Sequence, residues 1–387
     1  MRNSLIILAI AYVLSQFFRA FLPVVAPVLA ADLGAGPQDL ALASSAWFLV
    51  FGAMQIPVGA ALDRVGPRLT ASVLFAVGGA GGAIAFGLAQ SPLHIVIAMG
   101  LIGVGCSPVL MAAYYILAKG FPAAAFATLA GGMIGIGSIG NVAGSAPMAW
   151  AVETYGWRSA MIGLGIACAV IAAGIWGIVR DPERSDGPQR GSVLDLFKMP
   201  ILWPIFAMMF VNYAPAAGIR GLWAGPYLSD VLGADVPTIG WVTLVMGLAM
   251  IGGSFAFGPI ERALGTRKGV VLGGNIIGLV GLVGLWLIPV ASIGYVTVMF
   301  ALVGIGGSTF AVMIAHARSF FPDHLTGRGV TLMNLFGIGG VGVMQFVTSG
   351  LFAASDPSVA YTRIFAAFGI LVIAGLGIYA TSRDSTD

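Results

Sequence analysis

The sequence predicts an all-α membrane protein of twelve transmembrane helices in two pseudo-symmetric six-helix bundles. Three observations carry that prediction: scarcity of charge, the number of long apolar segments, and a repeat at half the chain length. Of 387 residues, 59% are apolar and 9% charged, and the mean hydropathy is +0.99. A soluble protein of this size needs roughly a quarter of its residues charged. The 57 glycines and 20 prolines fit a lipid solvent as well, because glycine lets membrane helices approach closely and proline is tolerated inside them.

Taken in order, segments 4–31 and 40–62 are parted by "DLGAGPQD", and "DRVGPR" leads into 69–89. "QSP" precedes 93–118, "KGFP" falls before 126–150, and "VETYGWR" before 158–179. The second set runs 201–230, 238–260, 269–289, 293–316, 328–353 and 359–381. Each is long enough to cross hydrocarbon, and each break is charged or turn-rich. The one long polar stretch, "RDPERSDGPQRGSVLDLFKMP", reads as a central linker. The expected organisation is therefore a bundle over 1–180, a cytoplasmic linker over 181–200 and a second bundle over 201–387. The first segment is too long for a signal-peptide core and reads as a retained helix.

With the N-terminus inside, 14 of the 18 lysines and arginines fall on the cytoplasmic side. Arg158 and Arg363 fall outside, and Arg19 and Arg220 lie within helices. That asymmetry predicts both termini in the cytoplasm and a multi-pass protein of the inner (plasma) membrane. The net charge of +3 comes from loops and suggests no nucleic-acid partner. Cys106 and Cys168 sit in apolar runs and offer neither a disulfide framework nor a zinc spacing.

The chain repeats. "LIGVG" at 101–105 returns as "LVGIG" at 302–306, Phe121-Pro122 as Phe321-Pro322, and "LDRVGPR" loosely as "IERALGTR". An even number of helices per repeat relates the halves by an axis along the membrane normal. The same offset pairs Tyr12 and Arg19 of the first helix with Tyr213 and Arg220 of the seventh. A seven-residue spacing places each tyrosine on the face of its arginine, with Gln16 on that face too and Trp223 one turn beyond Arg220. An arginine at mid-membrane costs about 2.5–3.5 kcal/mol by insertion scales. All 15 acidic residues map to loops or helix ends, so none is placed to neutralise these cations. A bound anion gripped by two guanidinium forks solves this; backbone carbonyls at a proline-broken helix, or a wet cavity, are the alternatives.

The stretch "GAALDRVGPR" resembles the GxxxDRxGRR-type loop of the major facilitator superfamily, with Gly59, Asp63, Arg64, Gly66 and Arg68 in register. A degenerate copy falls at Glu261, Arg262, Gly265, Arg267 and Lys268. The resemblance, together with the helix count, linker and repeat, spans essentially the whole chain. It implies the major facilitator fold, a central cavity and alternating access, with the loop residues acting as a cytoplasmic conformational latch. The paired arginines look like those of the superfamily's organophosphate/phosphate exchangers. Two departures weaken a proton-coupled drug-antiporter reading. Met99 stands where the fourth-helix pattern has arginine, and Asn141 stands where the fifth-helix pattern has proline, in "GNVAGS".

Gln55, Tyr114, Tyr115, Asn141, Asn212, Asn334 and Gln345 lie on helices expected to border the cavity, and Tyr115, Asn141 and Asn334 join the expected substrate set. His316 is expected at a helix boundary as a structural residue, and His94 and His324 in loops. The expected function is secondary transport of a small anionic solute, an organic acid or phosphate-bearing compound. Exchange is the preferred mode because no buried carboxylate is present to relay protons. Export of an amphipathic drug-like compound is an alternative. So is copper import through Met246 and Met250, although packing is the commoner role of such residues. No nucleophile–base set or phosphate-cradling loop is present, so no enzyme activity and no cofactor are expected. The expected partners are a small solute and lipid, with the chain acting as a monomer.

Overall fold

The structure, a computed structural model, describes residues 2–120, 123–182, 194–322, 325–352 and 357–385. Phe121-Pro122, His324 and most of the expected linker lie outside the described residues. Every regular element described is helical. The first half holds α1 (Arg2–Phe17), α2 (Leu22–Leu33), α3 (Pro37–Arg64), α4 (Pro67–Leu74), α5 (Gly81–Gly87), α6 (Pro92–Gly120), α7 (Ala123–Ala143), α8 (Ala146–Tyr155) and α9 (Trp157–Ile178). A π-helical stretch, Phe75–Ala80, joins α4 to α5. The second half holds α10 (Leu194–Phe197), α11 (Trp203–Asn212), α12 (Ala214–Gly218), α13 (Ala224–Leu232), α14 (Val236–Leu264), α15 (Arg267–Leu287), α16 (Ile293–Gly307), α17 (Phe310–Arg318), α18 (Thr326–Leu351) and α19 (Pro357–Tyr379).

Among the described residues, ten stretches are long and apolar enough to cross a membrane, and α1 with α2, bent by 52°, can make an eleventh. The predicted fifth segment is occupied by α7 and α8, which part at Gly144 and Ser145. Many large apolar side chains point outward, among them Ile56 at 75% and Phe255 at 70% exposure. Such a surface suits hydrocarbon, where the backbone must satisfy itself within helices.

The chain forms two compact units. One is Met1–Asp186 with Asp235–Trp241, the other Gly187–Ala234 with Val242–Asp387. Several internal contacts of one recur in the other. Gly34 and Gly233 end α2 and α13 in the left-handed region, at φ 65° and 63°. A side chain with a Cβ is strained there. Just before those caps, Asp32 accepts from the Trp157 indole at 3.1 Å, and Asp230 from the Tyr361 hydroxyl at 2.7 Å. In both units the end of the first span is thereby tied to the start of the last.

The "LIGVG" repeat is a packing motif. Gly105 touches the backbone at Gly78 and Gly79, and Gly306 touches Gly278, where an added Cβ would come within 2.8 Å of the Gly278 Cα. Gly103 abuts the Trp47 carbonyl, and its counterpart Gly304 abuts that of Met246. Met246 and Met250 thus pack against a glycine. Gly140 of α7 lies against the Val13 carbonyl of α1, and Gly340 of α18 against the Phe210 carbonyl of α11. Small residues at such crossings let dispersion and backbone contacts hold helices together where the hydrophobic effect cannot.

Replacing Gly140 by alanine should lower the melting temperature of the purified protein by several degrees, since overpacking costs about 1–3 kcal/mol. Gly163→Ala, on α9 with nothing within 4 Å of the added methyl, should leave it unchanged or raise it. Differential scanning fluorimetry compares the two.

Candidate functional site

Arg19 sits where the first span breaks. Pro23 lies in the first turn of α2, and its ring and missing N–H disfavour a helical bond to the carbonyl four residues back, which is that of Arg19. The chain turns through residues 18–21. The half-buried guanidinium lies 5.1 Å from the Trp47 ring centroid and 4.8 Å from that of Phe51. Those two rings are themselves stacked, 5.0 Å apart and 13° from parallel. Ring faces stabilise a cation without neutralising it. Arg19 Nε is buried without a hydrogen-bond partner, as are the Ser15 hydroxyl and the Trp47 indole nitrogen.

Arg220 is placed differently. The seventh span breaks earlier, at Tyr213, because Pro215 follows in the first turn of α12. Arg220 then falls in a π-helical turn, Ile219–Trp223, and is 4% exposed. Such widened turns admit an extra residue and frequently mark functional positions. Its guanidinium lies over Gly247 of α14, where a Cβ would stand 2.8 Å from Nη2. The expectation that each tyrosine shares a continuous helical face with its arginine is therefore corrected. The break falls at the arginine in the first span and at the tyrosine in the seventh.

Around Arg19, Tyr12 is 4% exposed and accepts from Gln16 Nε2 at 3.1 Å, while Gly137 of α7 makes room for its ring. Of the adjacent tyrosines on α6, Tyr114 is the one near Tyr12. Tyr115 instead lies under the Lys119 ammonium, 5.9 Å from its ring. Asn141 is half-buried on α7, one residue past the crossing at Gly140.

In the second unit, Tyr213 is half-buried and meets Phe310 edge-on at 5.4 Å. Trp223 is fully enclosed, stacks on Phe352, and donates its indole N–H to Thr348 at 3.0 Å. Its one polar atom is used by the fold, so it props the span against α18 and, as placed, offers no surface to a solute. Asn334 is half-buried on α18. Gln345 on the same helix is fully buried with both side-chain polar atoms unpartnered. The contacts Phe210–Gly340 and Trp223–Thr348 advance along both segments together. The two therefore run parallel. A buried chain from Asn275 through Thr309 to Asn212, with links of 3.1 and 2.7 Å, was signalled only by asparagines in apolar helices.

His316 is fully buried, with Nδ1 2.7 Å from the Tyr379 hydroxyl and Nε2 2.8 Å from the Arg383 carbonyl. The carbonyl can only accept, so Nε2 carries the proton and Nδ1 accepts from the tyrosine. Both nitrogens are used in holding the chain's last helix.

The loop residues expected to form a latch make described contacts inside their own units. Gly59 packs near Met111 of α6, and Arg64 is exposed. Gly66 lies against the Asp181 carboxylate, the Arg68 amide donates to Asp181 at 2.8 Å, and the Arg68 guanidinium covers Trp176. The Asp63 side chain lies outside the described residues. In the second unit Glu261 pairs with Arg267 at 2.7 Å, Arg262 is exposed, and the Lys268 amide donates to Asp384 at 3.0 Å. Asp181 and Asp384 are equivalent: each follows an arginine just beyond the last helix of its half and caps the N-terminus of the third span, where a helix favours negative charge. Partial burial pushes the Asp384 carboxyl up, but the Thr266 hydroxyl and Lys268 amide donating to it hold it below the usual carboxylate range.

Two measurements follow. A depressed carboxyl gives its stabilisation above the unfolded pKa, about 3.9, and loses it as pH falls through the folded value. A nitroxide at position 385 should therefore show a narrower line in Asp384→Asn, and in the parent protein only once the pH falls below the usual carboxylate range. Gly247→Ala should destabilise the protein, because Arg220 is too enclosed to swing aside. In an Arg220→Gln background the same change should cost little, a coupling of about 1–3 kcal/mol in a double-mutant cycle.

Comparison with known proteins supports the architecture. A family model described as Major Facilitator Superfamily matches residues 8–219 and again 205–386. No curated protein matches the chain by sequence. Among solved structures, a bacterial homologue of the human lysosomal transporter Spinster, inward-facing and occupied, is 18% identical with a TM-score of 0.70, covering 98% of this chain and 96% of its own. A D-xylose–proton symporter is 14% identical with a TM-score of 0.79, covering 98% of each chain. The nucleoside transporter NupG is 10% identical with a TM-score of 0.77, covering 98% of this chain and 99% of its own. At these identities the likeness is one of fold, while the family match runs nearly end to end. The chain belongs to the Major Facilitator Superfamily and is a membrane transporter, not an enzyme.

Proposed function

We propose that this transporter moves a small anionic solute, a carboxylate or phosphate-bearing compound, across the inner membrane by alternating access, with both termini in the cytoplasm. The observation that carries the reading is the pair of arginines, one on the first span of each half, in a chain whose span interiors contain no acidic residue. Where spans do contain an acid, as with Asp39, Asp230 and Glu261, it lies in a terminal turn. Among the described residues Arg19 makes no ion pair, and the faces of Trp47 and Phe51 meet it. A guanidinium held this way keeps its charge and its fork of donors for a ligand.

Arg19 and Arg220 are the anion ligands in this reading. Tyr12, Gln16, Tyr213, Asn141 and Asn334 supply neutral hydrogen bonds, and Gln345, buried on α18 with both side-chain polar atoms unpartnered, joins them. Trp223 and Tyr115 contribute indirectly, by supporting neighbours. Exchange of one anion for another fits best, because it needs no titrating carboxylate within the spans. The loops at Asp63–Arg68 and Glu261–Lys268 act as conformational latches, and the two halves 1–180 and 201–387, joined by the linker, are the moving bodies.

The test is thermal-shift screening of purified protein against small anions, amphipathic cations, neutral drug-like compounds and copper(I), beside an Arg19→Gln/Arg220→Gln variant. Ligand at a hundred times its Kd stabilises by about 2.7 kcal/mol, a shift of several degrees. An anion should give that shift in the parent and none in the variant, and the same anion should exchange across proteoliposomes. Equal stabilisation of both proteins by cations or neutral compounds, with no anion effective, would overturn the reading.

A further inference from the structure

Three buried donors meet in the first unit with no oxygen or nitrogen to accept from them. Ser15 is 1% and Trp47 0% exposed, yet the hydroxyl, the indole nitrogen and Arg19 Nε all lack a hydrogen-bond partner. One such group costs about 1–3 kcal/mol, and folded proteins keep few of them. These three are neighbours. Arg19 lies over the Trp47 ring, and the Cys106 thiol stands beside Ser15, Arg19 and Trp47 alike. A thiol sulfur is a weak acceptor, while an indole N–H and a guanidinium can only donate.

The repeat supplies an internal control. At the offset relating Tyr12 and Arg19 to Tyr213 and Arg220, Ser15 corresponds to Ala216. The "LIGVG" offset carries Cys106 to Gly307, and the matching contacts of Gly103 and Gly304 carry Trp47 to Met246. In the second unit that corner is apolar and closed, with Gly307 against Ala216 and Gly304 against Met246. The fold therefore does not require polar groups there. The first unit carries them at all three places, and Gly103 against the Trp47 carbonyl fixes the indole's backbone.

We infer that Ser15, Trp47 and Arg19 form an oxyanion pocket in which the indole N–H and the hydroxyl complete the arginine's hold on one oxygen of the transported anion. The inference rests on the anionic-solute reading and adds to it the residues that set selectivity. A water would accept from two of the donors at most and would bring no charge to balance Arg19. A cation is repelled. What fits is an oxygen of a carboxylate or a phosphate.

The experiment uses the full-length protein in detergent, with inorganic phosphate and acetate as probes and Arg19→Gln, Ser15→Ala and Trp47→Phe as variants. Trp47→Phe keeps a ring under the guanidinium and removes the N–H together with part of the indole ring. The expected result is a saturable thermal shift with at least one probe that Arg19→Gln abolishes. Ser15→Ala and Trp47→Phe should each weaken it about tenfold or more, the size of a hydrogen bond to a charged group. Without probe, Ser15→Ala should melt at or above the parent temperature, because an unpartnered buried donor is gone; a merely structural role would lower it. The Trp47 indole N–H resonance, assigned by its loss in Trp47→Phe, should move on saturation. If a probe binds and needs Arg19, but both variants bind it as tightly as the parent and the resonance stays still, the pocket is overturned and the anionic reading stands. If no probe binds the parent, both fall.

Discussion

Helices in hydrocarbon gain little by burying apolar side chains against one another, so cohesion within each six-helix unit depends on how closely backbones approach. Everything else here depends on that constraint. It is why the strongest internal repeat is a glycine pattern, and why those glycines lie against the backbone of a neighbouring helix. It also frees the outward faces to be large and apolar. The polar residues left inside are few enough that each has to be accounted for.

Two of them are arginines, and the protein buries them in two ways. In the first unit the span breaks at the arginine and aromatic faces receive the guanidinium. In the second the span breaks earlier, and a π-helical turn lays the side chain over a glycine on the neighbouring helix. The local devices differ although the sequence register is the same. What the halves share is the position of the charge along the first span.

The fold was legible in the sequence because it rests on composition and period, which survive without knowledge of contacts. Segment boundaries at "DLGAGPQD" and "DRVGPR" coincide with helix ends because glycine and proline act locally. The location of the breaks inside the first and seventh spans was less legible. Pro23 and Pro215 sit at different distances from their arginines, and a face drawn through seven residues ignored the turn between them. Trp223 was misplaced for a related reason: spacing along a helix does not say whether a neighbouring helix has already taken the indole N–H. Ser15 and Trp47 carried no signal of their own in so apolar a chain, and become visible only when the repeat is laid on the structure. The Arg-Asp pairs at 180–181 and 383–384 repeat too, but they fall just past the last apolar residue, where sequence reads only as linker or tail.

Those two aspartates have a consequence for ancestry. Each half ends its last helix with an acid that returns to seal the third span of the same half, so its terminus is fastened from within. A six-helix piece built this way closes on itself, and tandem duplication can copy it without asking the joining segment for any fold-determining instruction. The stretch between the copies is then free to drift in length and composition under selection for reach alone.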